Sequence, residues 1–165
     1  VNRVKVSPYG VPVYVTVASS GGTVSGTAGD PATDLGLIQK AIDDNIVRDG
    51  ETSVVASATT LAIAVTGTIY VDRAANLDGP TVIAAGNAAI DAYFATVPID
   101  GFIIPPSSTG YVFRNSLEGV LEKLADYADY IIKADVTNAD TTLAVGQVPT
   151  SGTHVLTVVA VTVKK

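Results

Sequence analysis

Apolar and polar residues alternate along the first stretch of the chain. Val4 and Val6 alternate with Arg3 and Lys5, and Val11, Val13, Val15 and Val17 resume the period of two. That period marks strands with one buried face. Between them Ser7-Pro8-Tyr9-Gly10 has Pro at the second and Gly at the fourth position, which suits a type I turn, so the segment is expected to be a hairpin. Pro12 has no N–H for a ladder, which places the second strand at an edge or starts it after Pro12. The Gly-, Ser- and Thr-rich run from Ser19 to Gly29 is expected to be a flexible loop. The period then becomes helical at Leu35, Ile38, Ala41, Ile42 and Ile46. Asp30-Pro31 or Thr33 offers an N-cap, and Arg48-Asp49-Gly50 a closure. A short strand over Ser53–Ala56 follows.

Alternation is clearest from Leu61 to Asp72. Leu61, Ile63, Val65, Ile69 and Val71 share one face, and Gly67 is a candidate bulge. Asp78-Gly79-Pro80 opens a second helix, whose stripe runs through Val82, Ile83, Gly86, Ala89, Ile90, Tyr93, Phe94 and Val97, and Pro98 ends it. Residues 98–110 read as a turn-rich loop, unusually apolar at Phe102-Ile103-Ile104. A third helix is expected over about Asn115–Ala128, with Leu117, Val120, Leu121 and Leu124 inward. Strands follow at Tyr130–Val136 and Thr141–Val145, then a connector over Gly146–Thr153 and a closing strand over Val155–Val163. This mixed order, with two helices in succession, argues against a doubly wound sheet and for an α+β fold. It is expected to form two small α/β units with mostly antiparallel mixed sheets and three main helices. A boundary near Ser57-Ala58 separates residues 1–57 from residues 58–165, and no internal repeat is evident.

Composition narrows the function. The 165 residues include no Cys, Met or Trp and one His. Disulfides, thiolate metal sites and cysteine nucleophiles are thereby excluded, as are metal sites needing two imidazoles. A net charge of −6 argues against nucleic-acid binding. No run of 18 apolar residues is present, so membrane insertion by a helix is not expected, and no secretory leader pattern is seen. Because the first residue is Val1, the chain is expected to be a portion of something longer. Charged residues make up only 16% and mean hydropathy is +0.38, which suggests that partners cover some of the surface.

Candidate chemistry is sparse. His154 stands three residues after Ser151, the spacing of a possible base and nucleophile. There is no G-x-S-x-G elbow, and a half-exposed residue at a strand start is the simpler reading. Asp43 and Asp44 are adjacent on a helix, so their side chains diverge by about 100° and do not form an acid–base pair. Asp126 and Asp129 straddle a helix end. Asn138, Asp140 and Thr142 alternate like the start of a calcium loop, but the required Gly and Glu are missing, which favours a solvated turn. Ser20-Gly21-Gly22-Thr23 and Gly26-Thr27-Ala28-Gly29 lack the context of a phosphate loop. Tyr111 and Phe113 are expected to serve capping or core. No catalytic residue, metal site or cofactor is assigned. Phe102, Ile103 and Ile104 are the candidate interface, with the cover of the chain's own helices as the competing role.

Several pieces occur in a familiar order: the alternating strand Leu61–Val71; the helix end Ala89-Ile90-Asp91-Ala92-Tyr93-Phe94-Ala95-Thr96-Val97-Pro98-Ile99-Asp100-Gly101; the helix entry Tyr111-Val112-Phe113-Arg114-Asn115-Ser116-Leu117; and Asp140–Val145 followed by Gly146-Gln147-Val148-Pro149-Thr150-Ser151-Gly152 before a Val/Thr strand. This order resembles the baseplate J-like proteins of contractile-tailed phages and related contractile injection systems. The first half, a Val-rich strand before a helix and a short strand, is similar to that family's central part. From Leu124 to Asp135 the chain is richer in Asp and Tyr than the family pattern. The resemblance implies a wedge component of the virion's tail baseplate, made in the bacterial cytoplasm. Its partners would be other baseplate and tail proteins, with self-association in a ring as one arrangement, and it would have no catalytic residues. Two other readings remain open: a non-catalytic interaction or adhesion module of a surface protein, and a small enzyme using Asp carboxylates.

Overall fold

The computed structural model describes residues 1–6, 12–45 and 52–163. The expected turn at Ser7–Gly10, Ile46 and the helix closure at Arg48–Gly50 lie outside the described residues. β1 (Arg3–Val6) and β2 (Val13–Ala18) pair antiparallel, with Val6 opposite Val15. β2 begins directly after Pro12, so the missing N–H costs the ladder nothing. It is the central strand of its sheet and not an edge, because β3 (Ser53–Ser57) joins its other side in parallel. Parallel neighbours require a crossover, and α1 (Asp34–Asn45) lies within it. Thr33 caps α1 by accepting the Gly36 N–H at 3.2 Å, while the Asp30 carboxylate serves the preceding turn by accepting from Ala32 N–H. The expected flexible loop is tied down at both ranges: the Ser19 hydroxyl donates to Thr23 O within it, and Val24 N–H donates to Ser57 Oγ at the end of β3.

The long alternating pattern proves to be two strands, β4 (Thr59–Ile63) and β5 (Thr66–Asp72). The expected connector after Gly146 contains a strand, β10 (Gln147–Ser151), parallel to β4. β11 (Val155–Val161) then runs parallel to β5. The two paired strands thus form one long ribbon with a break. Ser151 faces Ile63 and Val155 faces Thr66, so Gly152, Thr153 and His154 stand opposite only Ala64 and Val65. The extra residue bends the ribbon and splits it into two sheets. This break, and not Gly67, interrupts the pattern. Gly67 is instead a place of close approach, where a Cβ would lie 2.8 Å from Asp135 O.

β8 (Ile131–Val136) flanks β5 antiparallel, with an irregularity at Tyr70/Val71. α2 (Gly79–Thr96) starts as expected: the Asp78 carboxylate accepts Thr81 N–H at 3.1 Å and Pro80 stands in the first turn. It lays Val82, Gly86, Ile90 and Phe94 into the main core, against Ile69, Val71 and Leu156. Burying a side chain such as Phe94 contributes about 1.5–3 kcal/mol. α3 (Arg114–Glu122) is shorter than the apolar spacing suggested. The chain turns after Lys123, and Tyr127 N–H bonds Leu124 O at 2.9 Å. Asp126 and Asp129 would oppose the helix dipole if the helix continued. Leu124 is buried all the same. Part of the expected loop at residues 98–110 is strand: β6 (Phe102–Ile103) and the start of β7 (Gly110–Val112), which with β9 (Thr141–Leu143) form a fourth sheet.

The fold is α+β. Among the described residues four strand pairings are antiparallel and three parallel, and β5–β11 is the longest. A smaller core of Val15, Val17, Leu35 and Val55 lies under α1, and Ala18, Ala58, Ile99 and Val148 pack together between it and the main core. No helix among the described residues is long and apolar enough to cross a membrane.

Candidate functional site

His154 sits in the ribbon break, and its side chain is only 3% exposed. Nδ1 accepts the Val65 N–H at 3.2 Å. That nitrogen therefore carries a lone pair, and the proton of the neutral ring is on Nε2. Nε2 lies 3.0 Å from Ser151 Oγ and 3.1 Å from Asp91 Oδ1. The fold thus joins His154 to Ser151, as the spacing suggested, and adds Asp91 from α2, which nothing in the sequence marked out. The three residue types match a hydrolytic triad, but the arrangement does not. A triad places the serine on one ring nitrogen and the acid on the other. Here both crowd Nε2, which already holds the proton, while the basic nitrogen is engaged by a backbone amide. The ring has no lone pair facing the Ser151 hydroxyl, so it cannot take that proton. The cluster links the end of β10, the start of β5 and α2 around the bulge, with the Phe94 ring 6.1 Å from the imidazole.

A second polar cluster joins the two halves of the chain. On β1 the alternation points Val4 and Val6 one way and Arg3 and Lys5 the other. Arg3 is buried and donates from Nη1 to Phe94 O at 3.1 Å and Val97 O at 2.9 Å, and from Nη2 to Ser19 O at 2.7 Å. The first two acceptors lie at the C-terminal end of α2, where a cation complements the helix dipole. Burial lowers the Arg3 pKa below its ordinary value, but a guanidinium stays charged at neutral pH. Lys5 pairs with the Asp100 carboxylate, whose other oxygen accepts Gly146 N–H at 2.5 Å. Asp100 has a left-handed backbone, φ 71°, just beyond α2. Its carboxylate therefore ties β1, the α2–β6 turn and the β9–β10 turn together.

The remaining candidates serve the backbone or each other. Asn138 accepts Thr66 N–H at 2.7 Å and donates to Ala64 O at 3.1 Å, and Asp140 accepts Arg114 N–H at 2.8 Å. These side chains close turns and do not converge on a common point. Among the described residues no three His, Asp or Glu side chains gather as a metal site would require. Asp43 and Asp44 diverge as expected. Asp43 bonds Ser53 and Gln39, which lowers its pKa, and Asp44 pairs with Lys40 at 2.5 Å. Tyr111 and Phe113 stack on one another, centroids 5.6 Å apart.

Two exposed apolar features stand apart from these clusters. Phe102, Ile103 and Ile104 are 40%, 47% and 59% exposed, at and just beyond the β6 edge of the β6–β7–β9 sheet. The chain's own helices do not cover them. Val4 and Val6, with Val15, Ile38 and Ile42, line an open apolar groove of about 490 Å³ beside α1. No protein-family model matches the chain, and no curated protein matches it significantly.

Proposed function

We propose that this chain is a structural part of a contractile tail or related injection machine, a baseplate wedge component that works by binding its neighbours and not by catalysis. The observation that carries the reading is Phe102-Ile103-Ile104, the one run of three consecutive exposed large apolar side chains among the described residues. Three adjacent large apolar residues in water are unfavourable unless a partner covers them. Two further points support it. The lone imidazole is held with its basic nitrogen on a backbone amide. The motif order of the second half resembles the baseplate J-like family. In this reading the partners are other baseplate and tail proteins, and the protein resides in the virion's tail baseplate.

The test is reconstitution. The purified chain is mixed with each product of the genes flanking its own, and complexes are scored by size-exclusion chromatography with light scattering. A stable complex with a tail or baseplate component, lost on Ile103→Asp, supports the reading. No complex with any neighbour, or a complex indifferent to Ile103→Asp, overturns it.

A further inference from the structure

The sheet β11–β5–β8 has two edges, and the fold treats them differently. At the β8 edge the outward N–H groups of Ala134 and Val136 donate to Glu122 and Glu118 of α3, both at 3.2 Å. Lys133 and Asp135 add an exposed ion pair at 2.5 Å, and the irregularity at Tyr70/Val71 disturbs the ladder. Charges, irregular pairing and satisfied donors are the usual defences of an edge.

The β11 edge has almost none of these. Val155 N–H donates to Val65 O at 2.8 Å, so Val155, Thr157, Val159 and Val161 turn their backbone groups toward β5. By alternation Leu156, Val158 and Ala160 turn theirs outward. Arg73 reaches Ala160 O at 3.4 Å, and a carbonyl has a second lone pair to offer. From Val155 to Val163 there is no charged residue and no Pro. Val155, Thr157 and Val159 are exposed on the face away from α2.

We infer that β11 is a self-association edge, where a second copy of this chain adds its own β11 antiparallel about a two-fold axis. The occupant follows from the chemistry. A row of outward N–H and C=O groups selects an extended strand. Pairing Val158 with its own copy places Leu156 opposite Ala160 as hydrogen-bonding partners. It also sets Thr157 beside Val159 and Val155 beside Val161, with no like charges opposed. The two-fold contact closes on itself. A head-to-tail contact of β11 with another copy's β8 would propagate, and the α3 carboxylates already occupy that edge. The inference concerns a different surface from Phe102–Ile104 and stands whether or not the chain belongs to a baseplate.

The experiment is sedimentation equilibrium on the 165-residue chain over a wide concentration range. The wild type is expected to be a monomer–dimer system, with the amides of Leu156, Val158 and Ala160 gaining exchange protection as concentration rises. Thr157→Lys/Val159→Lys opposes lysines across the two-fold on exposed positions and should weaken association at least about tenfold with an unchanged circular dichroism spectrum. Val158→Pro, which removes an outward N–H that β5 does not use, should do the same. A wild type that stays monomeric at every concentration overturns the inference and leaves the edge to a strand of another protein. A dimer that tolerates the lysine pair also overturns it.

Discussion

Replacing Arg3 by Met tests how the two halves of the chain are held together. Met keeps roughly the unbranched stem of the side chain and removes the guanidinium. Three carbonyls then lose their donor: Phe94 O, Val97 O and Ser19 O. Taking about 1 kcal/mol for each orphaned acceptor, and about 1 kcal/mol for the cation lost from the end of α2, gives a gross cost of about 4 kcal/mol. Sparing the desolvation of a buried guanidinium returns about 1 kcal/mol of that, for a net loss of about 3 kcal/mol. Against a total of about 5–15 kcal/mol this is a large fraction. With a urea dependence of about 2 kcal/mol per molar, the midpoint should fall by about 1.5 M. Arg3→Lys keeps a point charge near the dipole but cannot reach three carbonyls in a planar fork, so it should recover only a minor part. The assay is equilibrium urea unfolding followed by circular dichroism. A shift under about 0.3 M for Arg3→Met would show that the guanidinium does not hold the halves together. An Arg3→Lys variant as stable as wild type would show that charge alone, and not the forked contact, is what matters.

Other expectations follow from single residues. Gly119 lies within α3 with open space where a Cβ would sit, so Gly119→Ala should stabilise by about 0.5–1 kcal/mol and raise Tm by about 1–4 °C in calorimetry. Gly110→Ala, whose Cβ would fall 1.3 Å from Asp100 O, should fail to give folded protein. Nitrogen-detected NMR should show neutral His154 as the Nε2–H tautomer, and a fluorophosphonate probe should leave Ser151 unlabelled; labelling at Ser151 would contradict the geometry. Asp43, with its pKa lowered by Ser53 and Gln39, contributes stability that is present above its unfolded value and lost as pH falls through its folded value. Asp43→Asn should therefore flatten the acid limb of the stability profile.

Elements whose signal was local were legible in the sequence. Asp78 and Pro80 predicted the start of α2 because capping is chemistry between near neighbours. The faces of β2 and β5 followed from alternation, and the α+β class from element order. What was missed depends on distant partners. The break at Ala64–Val65 exists because β10 and β11 bring one residue too many alongside β4 and β5, and no residue in the Leu61–Asp72 stretch announces that. β10 was hidden by Gly146, Pro149 and Gly152, which look like a connector. Pro149 is accommodated because β10 pairs on one side only, with β4. The shorter α3 reflects carboxylates competing with an apolar spacing that continues to Leu124. At the site, His154 and Ser151 were visible as neighbours, but Asp91 and the Val65 amide reach the ring only through the fold.

The proposed role requires that a partner cover Phe102-Ile103-Ile104. Hydrogen exchange of the chain alone and inside its assembled complex tests this most directly. The amides from Phe102 to Ile104 are expected to exchange more slowly in the complex, while those around Ser151 and His154 are unchanged. Equal exchange at Phe102–Ile104 in the two states would contradict it.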